Sequence, residues 1–156
     1  MFEKKLKILL ILSLFFLNQG CGYQPLLTEQ SQKFNVKNFN ISGDKKLGQI
    51  LANNFNIVEE SKNNLIFNIN ANKKREVTSR SSSGSPQEYN VNVNFNLTVI
   101  SGTSGEKVFS KNFSMSSSYK ASKLHLDTLN REKKIVDNIV KKLAEKITNN
   151  LNLIYN

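Results

Sequence analysis

Apolar and polar residues alternate without interruption over a long segment in the middle of the chain. The polar positions are asparagine except for one threonine, and the apolar positions are Tyr89, Val91, Val93, Phe95, Leu97 and Val99. A period of two predicts a β-strand with one buried face and one polar face, as in an antiparallel sheet that is covered on one side. Gly102 and Gly105 indicate a turn, after which the segment from Val108 to Tyr119 predicts the second strand of a hairpin.

Two earlier segments also have the alternation of strands. The apolar positions of the nearer one are Leu65, Phe67, Ile69 and Ala71. The farther one begins at Phe34, and its apolar positions change parity between Val36 and Phe39. This change predicts a strand with a bulge near Lys37 and Asn38.

Two segments have the three- and four-residue spacing of amphipathic helices. The apolar positions of the first are Leu47, Ile50, Leu51 and Val58, and those of the second are Ile135, Val136, Ile139, Val140, Leu143, Ile147, Leu151 and Ile154. Ser42 or Asp44 is the predicted N-cap of the first helix. The second helix has many lysines, which would suit a membrane surface. Packing against the sheet is the better interpretation, because a sheet with one apolar face needs a cover.

The order of these elements predicts an α+β fold. We expect a four-stranded, mainly antiparallel sheet with two helices packed on one face, in the order β-α-β-β-β-α. A single domain is predicted over residues 34–156, since this length is that of one core. Between the second and third strands, the serine-rich stretch from Ser79 to Pro86 predicts a loop that is mobile or ordered by a partner.

The first twenty residues have the order of charged and apolar residues of a secretory signal. Lysines precede an apolar run that ends at Leu17 and is shorter than the ~20 residues that span a bilayer. The pair Gly20-Cys21 resembles the end of a bacterial lipobox, which implies cleavage before Cys21 and attachment of lipid to this sole cysteine. An uncleaved anchor or a cytosolic helix is the alternative. The chain is therefore divided into a signal peptide, 1–20, a lipidated tether, 21–33, and the domain.

The chain is strongly basic, and some of its charge is clustered. The formal net charge is +10, and cleavage removes three lysines and one glutamate, which leaves +8 for the mature chain. Basic proteins attract polyanions. Lys73, Lys74, Arg75 and then Arg80 form a basic segment at the predicted end of the second strand, where they could pair with phosphates or carboxylates. A solvated strand end that discourages aggregation is an equal alternative.

The sequence predicts no catalytic residue, no metal site and no cofactor. Its one histidine, His125, lies two residues before Asp127 in a polar connector, and no serine stands in a Gly-x-Ser-x-Gly turn. Zinc sites need several Cys, His or carboxylate ligands at defined spacings, and phosphate loops need glycines that open a helix. Nucleic-acid binding would suit the charge, but an exported protein rarely meets nucleic acid, so it is not expected.

The start of the mature chain, Cys21-Gly22-Tyr23-Gln24-Pro25-Leu26, resembles the Cys-Gly-aromatic-x-Pro-Leu start of the LptE family of LPS-assembly lipoproteins. The order of the elements and the Arg80 to Tyr89 stretch are similar to that family as well. The resemblance implies a non-enzymatic, periplasm-facing lipoprotein of the outer membrane. Such a protein plugs the lumen of the LptD β-barrel, assists its assembly and takes part in lipopolysaccharide transport.

The partners that the resemblance implies are an LptD-like barrel, lipopolysaccharide and the membrane that holds the lipid anchor. The family supplies no specific binding residues for this chain, so Lys73, Lys74, Arg75 and Arg80 are lipopolysaccharide contacts by physical inference. Another periplasm-facing binding lipoprotein, such as an accessory subunit of an envelope transporter, is the alternative function. A cell-wall enzyme of unknown type is the third.

Overall fold

A computed structural model of the chain describes residues 32–57 and 61–155. Its elements are β1 (Asn35–Gly43), α1 (Lys45–Ala52), β2 (Asn64–Arg80), β3 (Pro86–Ser101), β4 (Lys107–Lys120) and α2 (His125–Asn152). This is the predicted α+β fold in the predicted order. The predicted signal peptide and all but the last two residues of the predicted tether lie outside the described residues.

The four strands lie side by side in chain order. β2, β3 and β4 pair antiparallel, whereas β1 and β2 pair parallel, with α1 as the crossover between them. The register of β1 against β2 shifts between Val36 and Asn38, which confirms the predicted bulge. Because of this shift, Val36 and Phe39 lie opposite Leu65 and Phe67 and belong to the same face of the sheet.

The core lies between one face of the sheet and the two helices. Phe67, Phe95 and Leu97 on the sheet and Leu143 and Ile147 on α2 are almost completely buried. Alternation along the strands supplies the sheet half of this core, and the helical spacing along α2 supplies the other half. Burial of each such side chain stabilises the fold by ~1.5–3 kcal/mol, so this layer is the main source of stability.

β2 is much longer than its apolar alternation predicts. The sequence pattern ends at Ala71, but the strand continues to Arg80 because its outer half pairs with β3 from Val93 back to Pro86. The prediction that the basic segment ends the strand therefore holds for Arg80, the last residue of β2, and was wrong for Lys73, Lys74 and Arg75, which lie inside it. The predicted loop is reduced to a turn, in which the N–H of Gly84 donates to the Ser81 carbonyl oxygen over 2.9 Å.

The helix boundaries also differ from the pattern. α2 begins at His125, ahead of the predicted start at Ile135, because Thr128 and Glu132 extend its buried side by two further turns. Asp44 is the N-cap of α1, since its carboxylate accepts the N–H of Leu47 over 3.0 Å. α1 ends at Ala52, and residues 53–57 are turn and coil, so the predicted continuation of the helix towards Val58 was wrong; Val58 itself falls outside the described residues. No helix in the described part of the chain is long and apolar enough to span a membrane.

Candidate functional site

Three side chains from two strands meet one carboxylate of α2 at the outer end of the core. Glu132 accepts hydrogen bonds from Lys73 Nζ over 2.8 Å and from Arg75 Nη1 over 2.9 Å. The Tyr119 hydroxyl donates to the same carboxylate over 2.8 Å. We refer to Lys73, Arg75, Tyr119 and Glu132 as the Glu132 cluster. Lys73 and Arg75 reach it because they continue the parity of Ala71 on the face that α2 covers.

Hydrogen bonds control the protonation of the Glu132 cluster. Burial by itself would raise the pKa of Glu132, but the hydrogen bonds from Lys73, Tyr119 and Arg75 outweigh it and leave this pKa below its usual value. Burial and the neighbouring carboxylate raise the pKa of Tyr119 to about 12. The hydrogen bond to Glu132 also raises the pKa of Arg75. At neutral pH the cluster therefore holds two cations, one carboxylate and a neutral phenol.

The two cations of the cluster remain partly open to solvent. The side chains of Lys73 and Arg75 are 35% and 40% exposed, whereas that of Glu132 is 10% exposed. The guanidinium carbon of Arg75 lies 4.9 Å from the ring centre of Tyr89, which stacks on Tyr119 at 5.5 Å. The Tyr89 ring and the Glu132 carboxylate hold the guanidinium in place. Its other N–H groups can bind an anion, because the planar guanidinium matches the geometry of phosphates and carboxylates.

The other two predicted basic residues lie elsewhere. Lys74 is on the opposite face of β2, where it pairs with Glu76. Arg80 is beside the hairpin turn and donates from Nη1 to the Gly84 carbonyl oxygen over 2.9 Å. The structure thus brings Lys73 and Arg75 together and separates them from Lys74 and Arg80.

An amphipathic cleft adjoins the Glu132 cluster between α1 and α2. It has a volume of about 250 Å³ and is lined by both apolar and charged residues. The apolar residues are Leu47, Ile50, Leu129 and Val136, and the charged ones are Asp44, Lys46, Lys73, Glu132, Lys133 and Asp137. Lys73 thus lies at the border between the cleft and the cluster.

The uncovered face of the sheet is an array of amide and hydroxyl groups. We call it the amide face; it comprises Asn38, Asn40, Ser42, Asn68, Asn70, Asn72, Asn90, Asn92, Asn94, Asn96, Thr98, Ser110, Asn112, Ser114, Ser116 and Ser118. Its side chains bond across strands: Asn94 Nδ2 donates to Asn112 Oδ1 over 3.0 Å, and Asn40 Nδ2 to Asn68 Oδ1 over 2.8 Å. This face is mostly uncharged, since Lys74 and Glu76, which also lie on it, are paired with each other, whereas the solvent side of α2 is rich in lysine.

Sequence reasoning missed Glu132 and Tyr119. Glu132 carries one available signal, since it lies four residues before the core residue Val136 and so interrupts an apolar stripe. Its neighbours Lys133 and Lys134 make it look like part of a solvated face. His125 is exposed in the first turn of α2, and no group of three or more His, Cys, Asp or Glu residues in the described ranges could hold a metal ion.

Comparison with known proteins adds a family and several related folds. The model of the family described as LptE, lipopolysaccharide-assembly, matches residues 32–151. The rare lipoprotein B from Shewanella oneidensis is 15% identical with a TM-score of 0.53, over 75% of this chain and 95% of that one. An uncharacterized lipoprotein B from Nitrosomonas europaea is 14% identical with a TM-score of 0.52, over 74% and 80%.

A putative lipoprotein from Caulobacter crescentus CB15 is also similar, at 9% identity and a TM-score of 0.53, over 72% of this chain and 86% of that one. At these identities the solved structures share the fold. A search of curated proteins gives no match.

Proposed function

This chain belongs to the LptE family of lipopolysaccharide-assembly proteins, and we propose that it is a non-enzymatic outer-membrane lipoprotein that plugs an LptD-like β-barrel. In this role it assists assembly of the barrel and delivery of lipopolysaccharide to the cell surface. The observation that carries the proposal is the family match over residues 32–151, which includes every element of the fold except the last residue of α2.

Attachment through Cys21 is the first part of the proposal. Acyl chains on this residue hold the domain at the periplasmic side of the outer membrane. Two or three chains give firm anchoring, since each buried methylene contributes ~0.8 kcal/mol and one chain alone binds only marginally. The residues from Gly22 to Ser31 then serve as the connection to the folded part.

The second part of the proposal is contact with the barrel, which the polar groups of the amide face support. The interior of a large membrane β-barrel is polar and lined by alternate side chains of its strands. A plug therefore needs a broad surface that forms hydrogen bonds without presenting unpaired charges for burial. Asn, Ser and Thr on four adjacent strands offer both donors and acceptors, and the charges of Lys74 and Glu76 on this face are paired with each other.

Contact with lipopolysaccharide is the third part. Lys73 and Arg75 form the cation pair that we propose as the principal contact, because they are preorganised by Glu132 and still partly exposed. Anionic groups of the glycolipid, phosphates above all, suit such a pair. Lys74 and Arg80 are proposed as further contacts from the amide face and the hairpin turn.

Affinity purification tests the partnership. The tagged full-length chain, expressed with its own signal, is isolated from detergent-solubilised outer membrane, and the bound proteins are identified by mass spectrometry. We expect a large β-barrel in stoichiometric amount. Recovery of an inner-membrane transporter would instead favour the accessory-subunit alternative, and recovery from the inner membrane alone would contradict the proposed location.

A further inference from the structure

Exposed apolar side chains surround the place where the chain enters the folded part. Ile57 and Leu153 are each 80% exposed and Ile154 is 47% exposed. We call these three residues the entry rim. Isolated exposed apolar residues are ordinary, whereas grouped ones indicate contact sites. Leu124, Leu126 and Leu129 form another exposed group near the start of α2, but of these two groups it is the entry rim that adjoins the segment leading to Cys21.

Hydrogen bonds of the first described residues locate the entry rim. Gln32 donates from its side chain to the Asn56 carbonyl oxygen over 2.9 Å and accepts the Asn56 N–H over 3.1 Å. The N–H of Lys33 donates to Asn152 Oδ1 over 3.1 Å. Each partner is next in sequence to a rim residue, Ile57 in one case and Leu153 in the other. The rim therefore flanks Gln32 and Lys33 on two sides.

Basic residues lie at the same place. Ser61 Oγ donates to the Lys33 carbonyl oxygen over 3.1 Å, which holds the turn containing Lys62 beside Lys33. Both lysine side chains are exposed. This end of the domain thus combines exposed aliphatic groups with cations, the combination by which peripheral surfaces bind anionic lipid headgroups.

We infer that the entry rim rests on the lipid leaflet that holds the acyl chains of Cys21, with Ile57, Leu153 and Ile154 in the headgroup region and Lys62 facing anionic headgroups. The inference rests on the proposed lipid attachment and is independent of the role in lipopolysaccharide assembly. Eleven steps separate Cys21 from Gln32, which limits the distance between them to about 40 Å. This connection joins the domain at the entry rim.

Single tryptophans test the inference, because the chain contains none. Ile57→Trp and Leu153→Trp report on the rim. Leu126→Trp is the matched control, since Leu126 is 67% exposed at the other end of α2, roughly 40 Å away at 1.5 Å per residue. The full-length variants are expressed with their own signal, purified in detergent and reconstituted into vesicles that contain phosphatidylglycerol, with and without brominated phospholipid.

We expect both rim tryptophans to emit at shorter wavelength in vesicles and to lose severalfold more intensity to brominated lipid than the Leu126→Trp control. Anionic lipid should increase this quenching and salt should reduce it. Rim emission at the wavelength of water-exposed tryptophan, or quenching no greater than in the control, overturns the inference. A blue shift without quenching also overturns it, since protein would then cover the rim.

The intact mass of each variant shows whether Cys21 carries acyl chains. Where it carries none, the same variants are coupled through the thiol of Cys21, the only cysteine, to a maleimide lipid in the vesicles. The rim is thus tested whether or not the processing proposal is correct, and failure of the two ideas can be told apart. Circular dichroism confirms that each variant is folded before it is scored.

Discussion

At the scale of residues, Glu132 connects α2 to the outer half of the sheet. One carboxylate accepts hydrogen bonds from side chains of β2 and β4, so the helix and two strands share one polar contact. A buried carboxylate is stable in its ionised form only where such donors surround it. The cluster therefore fixes where the N-terminal half of α2 sits, while the apolar layer supplies most of the stability.

Substitution of Glu132 by Gln should destabilise the protein. The change leaves Lys73 and Arg75 without their counter-charge, and we expect a loss of ~1–3 kcal/mol, below the loss for a fully buried pair because both cations are partly exposed. Chemical denaturation at pH 7 measures it. Glu76→Gln is the matched control, since Glu76 pairs with the exposed Lys74 and should show no measurable change. Equal stability of both variants and the parent chain would contradict the structural role of Glu132.

The pKa values of the cluster predict the pH dependence of stability. The folded pKa of Glu132 is below its ordinary value of 4.5, so its contribution is present above about pH 4.5 and is lost as pH falls through the folded pKa. The pKa of Tyr119 rises from 10.0 to about 12, so its contribution is lost as pH rises through that interval. Denaturation across pH should show a shallower acid limb in Glu132→Gln and a shallower alkaline limb in Tyr119→Phe.

At the scale of elements, β2 divides its basic residues between two surfaces. Alternation along a strand sends Lys73 and Arg75 to the helix side and Lys74 to the amide face. Adjacent cations in a strand therefore lie on opposite faces of the sheet, whereas adjacent cations in a loop could form one cluster. The sequence cannot reveal this division without the strand boundary, which the apolar pattern placed before Lys73.

The cation pair on the helix side predicts a graded effect on glycolipid binding. Arg75→Lys keeps the charge but removes the planar fork, so affinity for phosphorylated lipopolysaccharide should fall about tenfold, or ~1.4 kcal/mol. Lys74→Gln should cause a smaller loss, because Glu76 already offsets that charge. Titration with intact and dephosphorylated glycolipid measures both, and the difference between variants should vanish without phosphate. Equal losses in the two variants would indicate binding by diffuse charge instead.

The amide face predicts a second effect at this scale. Asn96→Lys places a charge on an exposed position at the centre of β3, and we expect it to abolish copurification of the barrel while leaving the free domain stable. Asn138→Lys, the same change on the exposed side of α2, is the control and should leave copurification unchanged. If both variants still copurified with the barrel, the amide face would be excluded as the contact surface.

Strands and helices with a clear hydrophobic period could be predicted from the sequence. Elements whose ends depend on contacts with other elements could not. β3 was evident because every second residue from Tyr89 to Val99 is apolar, and the bulge in β1 was evident from the change of parity. The outer half of β2 has no such pattern, since its helix-side positions are Lys73 and Arg75. Hydrogen bonding to β3 keeps it extended, and that pairing leaves no alternation of apolar residues within the outer half of β2 itself. Glu132 was missed for the same reason, because docking of α2 determines its partners.

At the scale of the whole molecule, the described part consists of a body and an arm. The helices cover the sheet from its start to about the Glu132 cluster, and beyond it the hairpin of β2 and β3 continues with mostly exposed residues. Val77, on the helix side of this arm, is 37% exposed, whereas Phe67 is completely buried. The arm and the entry rim lie at opposite ends of the sheet, because β2 runs from Asn64, near the rim, to Arg80.

Hydrogen exchange should separate the arm from the body. The strand ends within residues 77–88 pair in the hairpin, but no apolar layer covers them, so local opening exposes their amides without unfolding the core. We expect them to exchange much faster than the amides of residues 65–71 and 93–99, measured by mass spectrometry on the free protein. Addition of the barrel partner should slow exchange in the arm if the arm enters the lumen. Equal protection of arm and body in the free protein would mean that the hairpin opens only with the core, which would contradict this division of the molecule.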